Sequence, residues 1–187
     1  MPDDRCFRVD ERDLEELRGH CRDQLLIDSF AHWIQHFAPR VDDVIAEIST
    51  AFAETRLGDG IGLFQASGLD DYAADEELRQ LRARDEKTDW SRIAYADLER
   101  CYAAPSFLDA QGFVFHLPAF LIAELNDQHP YGFIDRLFRP EEHPEGWRQL
   151  LTEEQRRAVA SALKLIREHP QYARDQQEID AAIQRLE

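Results

Sequence analysis

A chain of 187 residues, 43% hydrophobic and 32% charged, is long enough for one domain with a full core and too apolar for a disordered one. Its formal charge of −16 at pH 7 repels phosphate backbones and anionic lipid, which argues against nucleic-acid or membrane-surface binding through a basic face. The acidic residues are spread along the whole chain, so the excess favours solubility or a basic partner protein and not an acidic tail.

The first residues, MPDDRCFRVDERD, are acidic where a secretory signal needs basic residues and then an apolar stretch. No segment reaches the roughly 20 apolar residues of a spanning helix, and the expected location is the cytoplasm. Cys6, Cys21 and Cys101 are an odd, widely spaced set without a C-x-x-C pair, which supports neither a disulfide framework nor a thiolate zinc knuckle. From Asp10 to Phe37 the apolar residues Leu14, Leu17 and Cys21, then Leu26, Phe30, Trp33 and Phe37, recur at helical spacing, with a break expected between Gly19 and Arg22. We read residues 1–38 as a helical arm packed on the body and 39–187 as a single helical domain.

Pro39 fits the first turn of the next helix, where a missing N–H does no harm, and Val41, Val44, Ile45, Ile48 and Phe52 then form an apolar stripe that should stop near Gly58. LGDGIGLFQASG is glycine-rich but has neither the lysine nor the strand-to-helix setting of a phosphate loop, and reads as a solvent loop leading into Ile61, Leu63 and Phe64. The charged stretch from Asp70 to Asp89 predicts an exposed helix with carboxylates early and arginines late, after which Trp90 and Ile93 anchor the chain on the body.

Asp109 can cap a helix that is apolar on every side, through Phe113, Val114, Phe115, Leu117, Phe120, Leu121, Ile122 and Leu125, and is therefore buried. Pro118 leaves the Val114 carbonyl without its usual donor and predicts a kink; the alternative is a helix that begins near Pro118 after an extended lead-in. Tyr131 to Phe138 makes a short amphipathic helix ended by Pro140. Thr152 and Gln155 form a capping box ahead of Val159, Ala162, Leu163 and Ile166, a helix stopped by His169 and Pro170, and Ile179, Ile183 and Leu186 mark a last one. The fold class is all-α: a compact multi-helix globular domain around a buried, kinked central helix, with an N-terminal helical arm.

The segments LDDYAADEE, DWSRI, SFLDAQGFVFHLPAFLIAEL and LTEEQRRAVASALKLI occur in an order that resembles a bacterial family known only as a domain of unknown function. The likeness rests on DDY-x-x-x-EE, DW-x-x-I and GF-x-x-x-LPAF elements and covers roughly Val41 to Ile166. Its most specific part is Leu117 to Phe120, and the arm before Pro39 and the tail after Pro170 lie outside it. The resemblance implies a single bacterial domain and carries over no activity, substrate, cofactor or catalytic residue.

Asp28, His32 and His36 stand one helical turn apart, a spacing at which two imidazoles reach one divalent ion, but the glutamate of H-E-x-x-H is missing. His116 is the only titratable side chain from Gln111 to Ala123; it suits a core histidine bonded to a backbone carbonyl, one freed by Pro118 for example, better than a catalytic base. Asp70, Asp71, Glu76 and Glu77, with Tyr72 and Trp90 as aromatic anchors, form a candidate interaction surface. No catalytic triad is placed by the sequence and no cofactor is implied, so the reading leans away from an enzyme. It favours an acidic protein-interaction module, a regulator or inhibitor of a basic partner. The alternatives are a metal-dependent hydrolase and a structural unit that dimerises through the arm.

Overall fold

In a computed structural model of the chain, residues 9–128, 133–138 and 144–187 are described, and among them every regular element is helical. Cys6, the start of the Tyr131 helix and its stop at Pro140 lie outside these residues. Helix α1 (Glu11–His20) is capped by Asp10 in a reciprocal box with Asp13, and α2 (Gln24–His36) is capped by Asp23. The break expected between Gly19 and Arg22 is therefore present. A 3₁₀ turn carrying Pro39 leads into α3 (Val41–Ala51).

Helix α3 ends before Gly58, because the buried Phe52 turns the chain and its carbonyl accepts the Trp90 indole N–H at 2.8 Å instead of continuing the helical ladder. The glycine-rich segment is not the expected solvent loop: Gly60 and Gly62 are buried, and the residues after them form α4 (Leu63–Asp70). The charged stretch is accordingly split. Helix α5 (Asp75–Arg84) begins after a turn, with Asp75, Glu76 and Glu77 in its first turn and Arg82 and Arg84 in its last. That order complements the helix dipole as expected.

After the Trp90–Arg92 3₁₀ turn and α6 (Tyr95–Arg100) comes the central helix α7 (Ala110–Leu125), which runs through Pro118 as one element. The alternative start near Pro118 is thus overturned, since Asp109 caps the helix by accepting from Gly112 N at 2.8 Å. Phe113, Phe115, Leu117, Phe120 and Leu121 are all fully buried. A helix with apolar residues all round needs cover on every side, and it receives it from α3, from α8 (Phe133–Phe138), from the Trp147–Leu150 turn and from α9 (Glu153–Ile166). Phe133 stacks on Phe120 at 4.1 Å and on Phe113 at 5.4 Å, with Trp147 5.0 Å from Phe113. Helix α9 starts with the Thr152–Gln155 box, and α10 (Gln176–Gln184) closes the chain against α9 and α8. Among the described residues no helix is long and apolar enough to cross a membrane.

Candidate functional site

Helices α4 and α5 make a tight hairpin because Gly68 admits the Leu81 side chain to where a Cβ would stand 2.4 Å from Leu81 Cδ1. The turn at its tip is a Schellman motif: Tyr72 N–H donates to Leu69 O and Ala73 N–H to Gly68 O. Its geometry puts Tyr72 at φ 56°, the left-handed position normally given to glycine. The Tyr72 side chain is 96% exposed and makes no hydrogen bond or ring contact among the described residues. Asp70, Asp71, Glu76 and Glu77 surround it in sequence, and Glu76 is held below its ordinary pKa by the Arg79 guanidinium and the Gln80 amide. Trp90 does not join this surface. It is 5% exposed, packed in the core with its N–H on Phe52 O, and its role is to lock the 3₁₀ turn to the end of α3.

His116 is 1% exposed, and its Nδ1 lies 2.7 Å from Gly112 O. A carbonyl only accepts, so the proton is on Nδ1 and the lone pair of the neutral ring is on Nε2. The acceptor is the carbonyl one turn back and not the Val114 carbonyl freed by Pro118. Burial pushes the imidazole pKa down to about 4, against a smaller upward pull from Gly112 O. His116 borders a cavity of about 220 Å³ whose wall includes Leu63, Phe64, Arg84, Asp85, Arg92 and Ile93.

Asp85, which the sequence reading did not single out, positions this wall. It follows the last turn of α5, where a carboxylate opposes the dipole, and that misfit is the signal that could have found it. Its oxygens instead cap α4 from outside, accepting Phe64 N–H at 2.7 Å and Gln65 N–H at 3.4 Å. Gly62 makes room, since a Cβ there would stand 2.1 Å from the Asp85 carboxylate. The anion at this glycine-framed helix start is therefore the protein's own. Burial raises the Asp85 pKa and the two amide donors lower it, with burial the larger influence.

Two further histidine groups lie outside this cavity. His32 and His36 have ring centroids 4.5 Å apart, while an Asp28 oxygen accepts the Gln24 amide. Among the described residues no group of three or more His, Cys, Asp or Glu side chains is placed to hold a metal ion. His169 accepts Gln171 N–H at Nδ1 and turns Nε2 towards Asp127 Oδ1 at 3.2 Å, which commits both ring nitrogens. Beside this pair the Tyr172 hydroxyl donates to Glu124, so the carboxylate on the last turn of α7 and the one just beyond its end are both answered from the segment after α9.

No curated protein and no solved structure matches the chain. The model of a family of unknown function, DUF6714, matches residues 40–185, which leaves out the arm and reaches past Pro170 through α10. With nearly all of the helical body inside that match, the chain belongs to the DUF6714 family.

Proposed function

We propose that the protein is an acidic interaction module, a regulator or inhibitor that takes a basic partner against the α4–α5 tip. The observation that carries this reading is Tyr72. A non-glycine residue in the left-handed region costs about 1 kcal/mol, and burial normally repays nothing here because the ring is 96% exposed. The contrast is Asp127, also left-handed at φ 58°, whose carboxylate faces His169 and accepts Val9 N–H and so serves the fold. Tyr72 has no such use. An exposed aromatic ring among carboxylates has the composition of an anchor within a charged rim: the ring supplies contact area, and the acids supply attraction and orientation.

The test is a pull-down from the native cell with the wild-type chain and Tyr72→Gly. The variant relieves the backbone and should be more stable by about 0.5 to 1 kcal/mol, less than the full relief because glycine also loosens the unfolded chain. Loss of a partner therefore cannot be loss of fold. The wild type should enrich a basic protein that is released by raised salt, and Tyr72→Gly should not. The reading fails if no specific protein is recovered, if its binding ignores salt, or if both chains recover it equally.

A further inference from the structure

We propose that the cavity beside His116 binds a small carboxylate with an apolar body and a hydroxyl or amine next to its carboxyl group. This site lies at the opposite end of α4 from Tyr72 and does not depend on the interaction reading.

The argument starts from which wall groups are already satisfied. The carboxyl of Asp85 takes the Phe64 and Gln65 amides. Arg92 faces Glu86 at 3.9 Å, and Asp97 is paired with Arg100. That leaves Arg84: among the described residues no carboxylate pairs with it, and its guanidinium rests over the Phe64 ring at 4.7 Å. A guanidinium held by an aromatic face on one side and open on the other is suited to a planar carboxylate.

The second open group is His116 Nε2. Nδ1 is used by Gly112 O, and among the described residues Nε2 has no partner and is not sealed from the cavity. As the lone pair of a neutral ring it accepts and cannot donate, so the complementary ligand atom is an O–H or N–H. Leu63, Phe64 and Ile93 supply the apolar wall between the two polar groups, and 220 Å³ suits a metabolite rather than a larger molecule. A buried imidazole left with one open nitrogen is a cost to folding alone, and a donor on the ligand relieves it.

Mandelate, phenylglycine and phenylacetate share one skeleton and differ only in carrying a hydroxyl, an ammonium or neither. Titrated calorimetrically into the full chain, mandelate or phenylglycine should bind about ten-fold more tightly than phenylacetate, and whichever is tighter assigns the hydroxy-acid or the amino-acid class. Arg84→Gln, at an exposed position that leaves the fold alone, should weaken binding about ten-fold. His116→Asn keeps a donor for Gly112 O while removing Nε2, and should weaken it similarly. In the wild type the ring-nitrogen NMR signal of His116 Nε2 should move on binding, which a merely structural histidine would not show. Absence of binding, equal binding of phenylacetate, unchanged affinity in Arg84→Gln, or an Nε2 signal that stays still would each overturn the proposal.

Discussion

At the scale of single residues, His116 and Tyr72 are opposite cases. Both are costs that the fold carries, one a ring without solvent and the other a ring with nothing but solvent. The His116 cost has a defined pH signature. The folded ring binds a proton only near pH 4, while the unfolded chain does so at the ordinary 6.5, so the unfolded state holds more protons between these values. Stability is then complete above pH 6.5 and falls as the pH drops towards 4, by up to about 3 kcal/mol. Arg82 holds the ring's pKa down, and Asp109 pulls it up by a smaller amount. Glu86, held down to about 2 by the Thr88, Lys87 and Asp89 donors, acts in a separate window below pH 4.5. Urea unfolding of the wild type and His116→Asn at several pH values checks this: the wild type should lose more stability than the variant between neutral and mildly acidic solution. Equal slopes would show that the ring is accessible to protons. His116 was legible in sequence as a lone polar group in an apolar run, whereas Arg84 and Asp85 were not, because nothing local tells which of many charges faces inward.

At the scale of elements, legibility followed the location of the cap. The boxes at Thr152–Gln155 and the cap at Asp109 lie within three residues of what they bind, and both helix starts could be read directly. Helix α4 has its cap at Asp85, 21 residues downstream of the Phe64 amide it accepts, and its sequence LFQASGLD has no local start signal, so nothing nearby in sequence marks it as a helix. The same loop depends on Asp109 in a second way. One carboxylate oxygen accepts both Gly112 N–H at 2.8 Å and Ile61 N–H at 3.0 Å, joining the start of α7 to the glycine segment before α4. Asp109→Ala removes the cap and orphans the Ile61 amide together, and should cost about 2 kcal/mol in a urea titration, beyond a simple exposed cap. Gly112→Ala should act in the same direction, since its Cβ would stand 2.2 Å from Ile61 O, a backbone atom with no rotamer to change. A cost for Asp109→Ala below a few tenths of a kcal/mol would mean that water replaces the carboxylate at both amides.

For the molecule as a whole, the question is what the arm does for the body. Periodicity showed the Phe30, Trp33 and Phe37 stripe but could not name the surface it meets, because that surface is contributed by the far end of the chain. Trp33 lies edge-on to His169 with centroids 4.7 Å apart, and Phe30 approaches the same ring at 5.8 Å. Val9 N–H reaches Asp127 at 2.8 Å, so the arm closes over the buried Asp127–His169 pair. The family match begins at residue 40, so the residues that form this cover lie outside it. Trp33, 4% exposed, is the largest side chain in the contact, and its truncation should cost about 3 to 5 kcal/mol if arm and body melt together. If they melt separately, Trp33→Ala should leave the main transition nearly unmoved while the arm becomes open to protease at the Cys21–Asp23 connection between α1 and α2. Thermal melting read alongside limited proteolysis separates the two modes. The dependence of His169 and Asp127 on cover from Trp33 favours the first: without the indole, a buried imidazole and carboxylate face water, and the carboxyl end of α7 loosens with them.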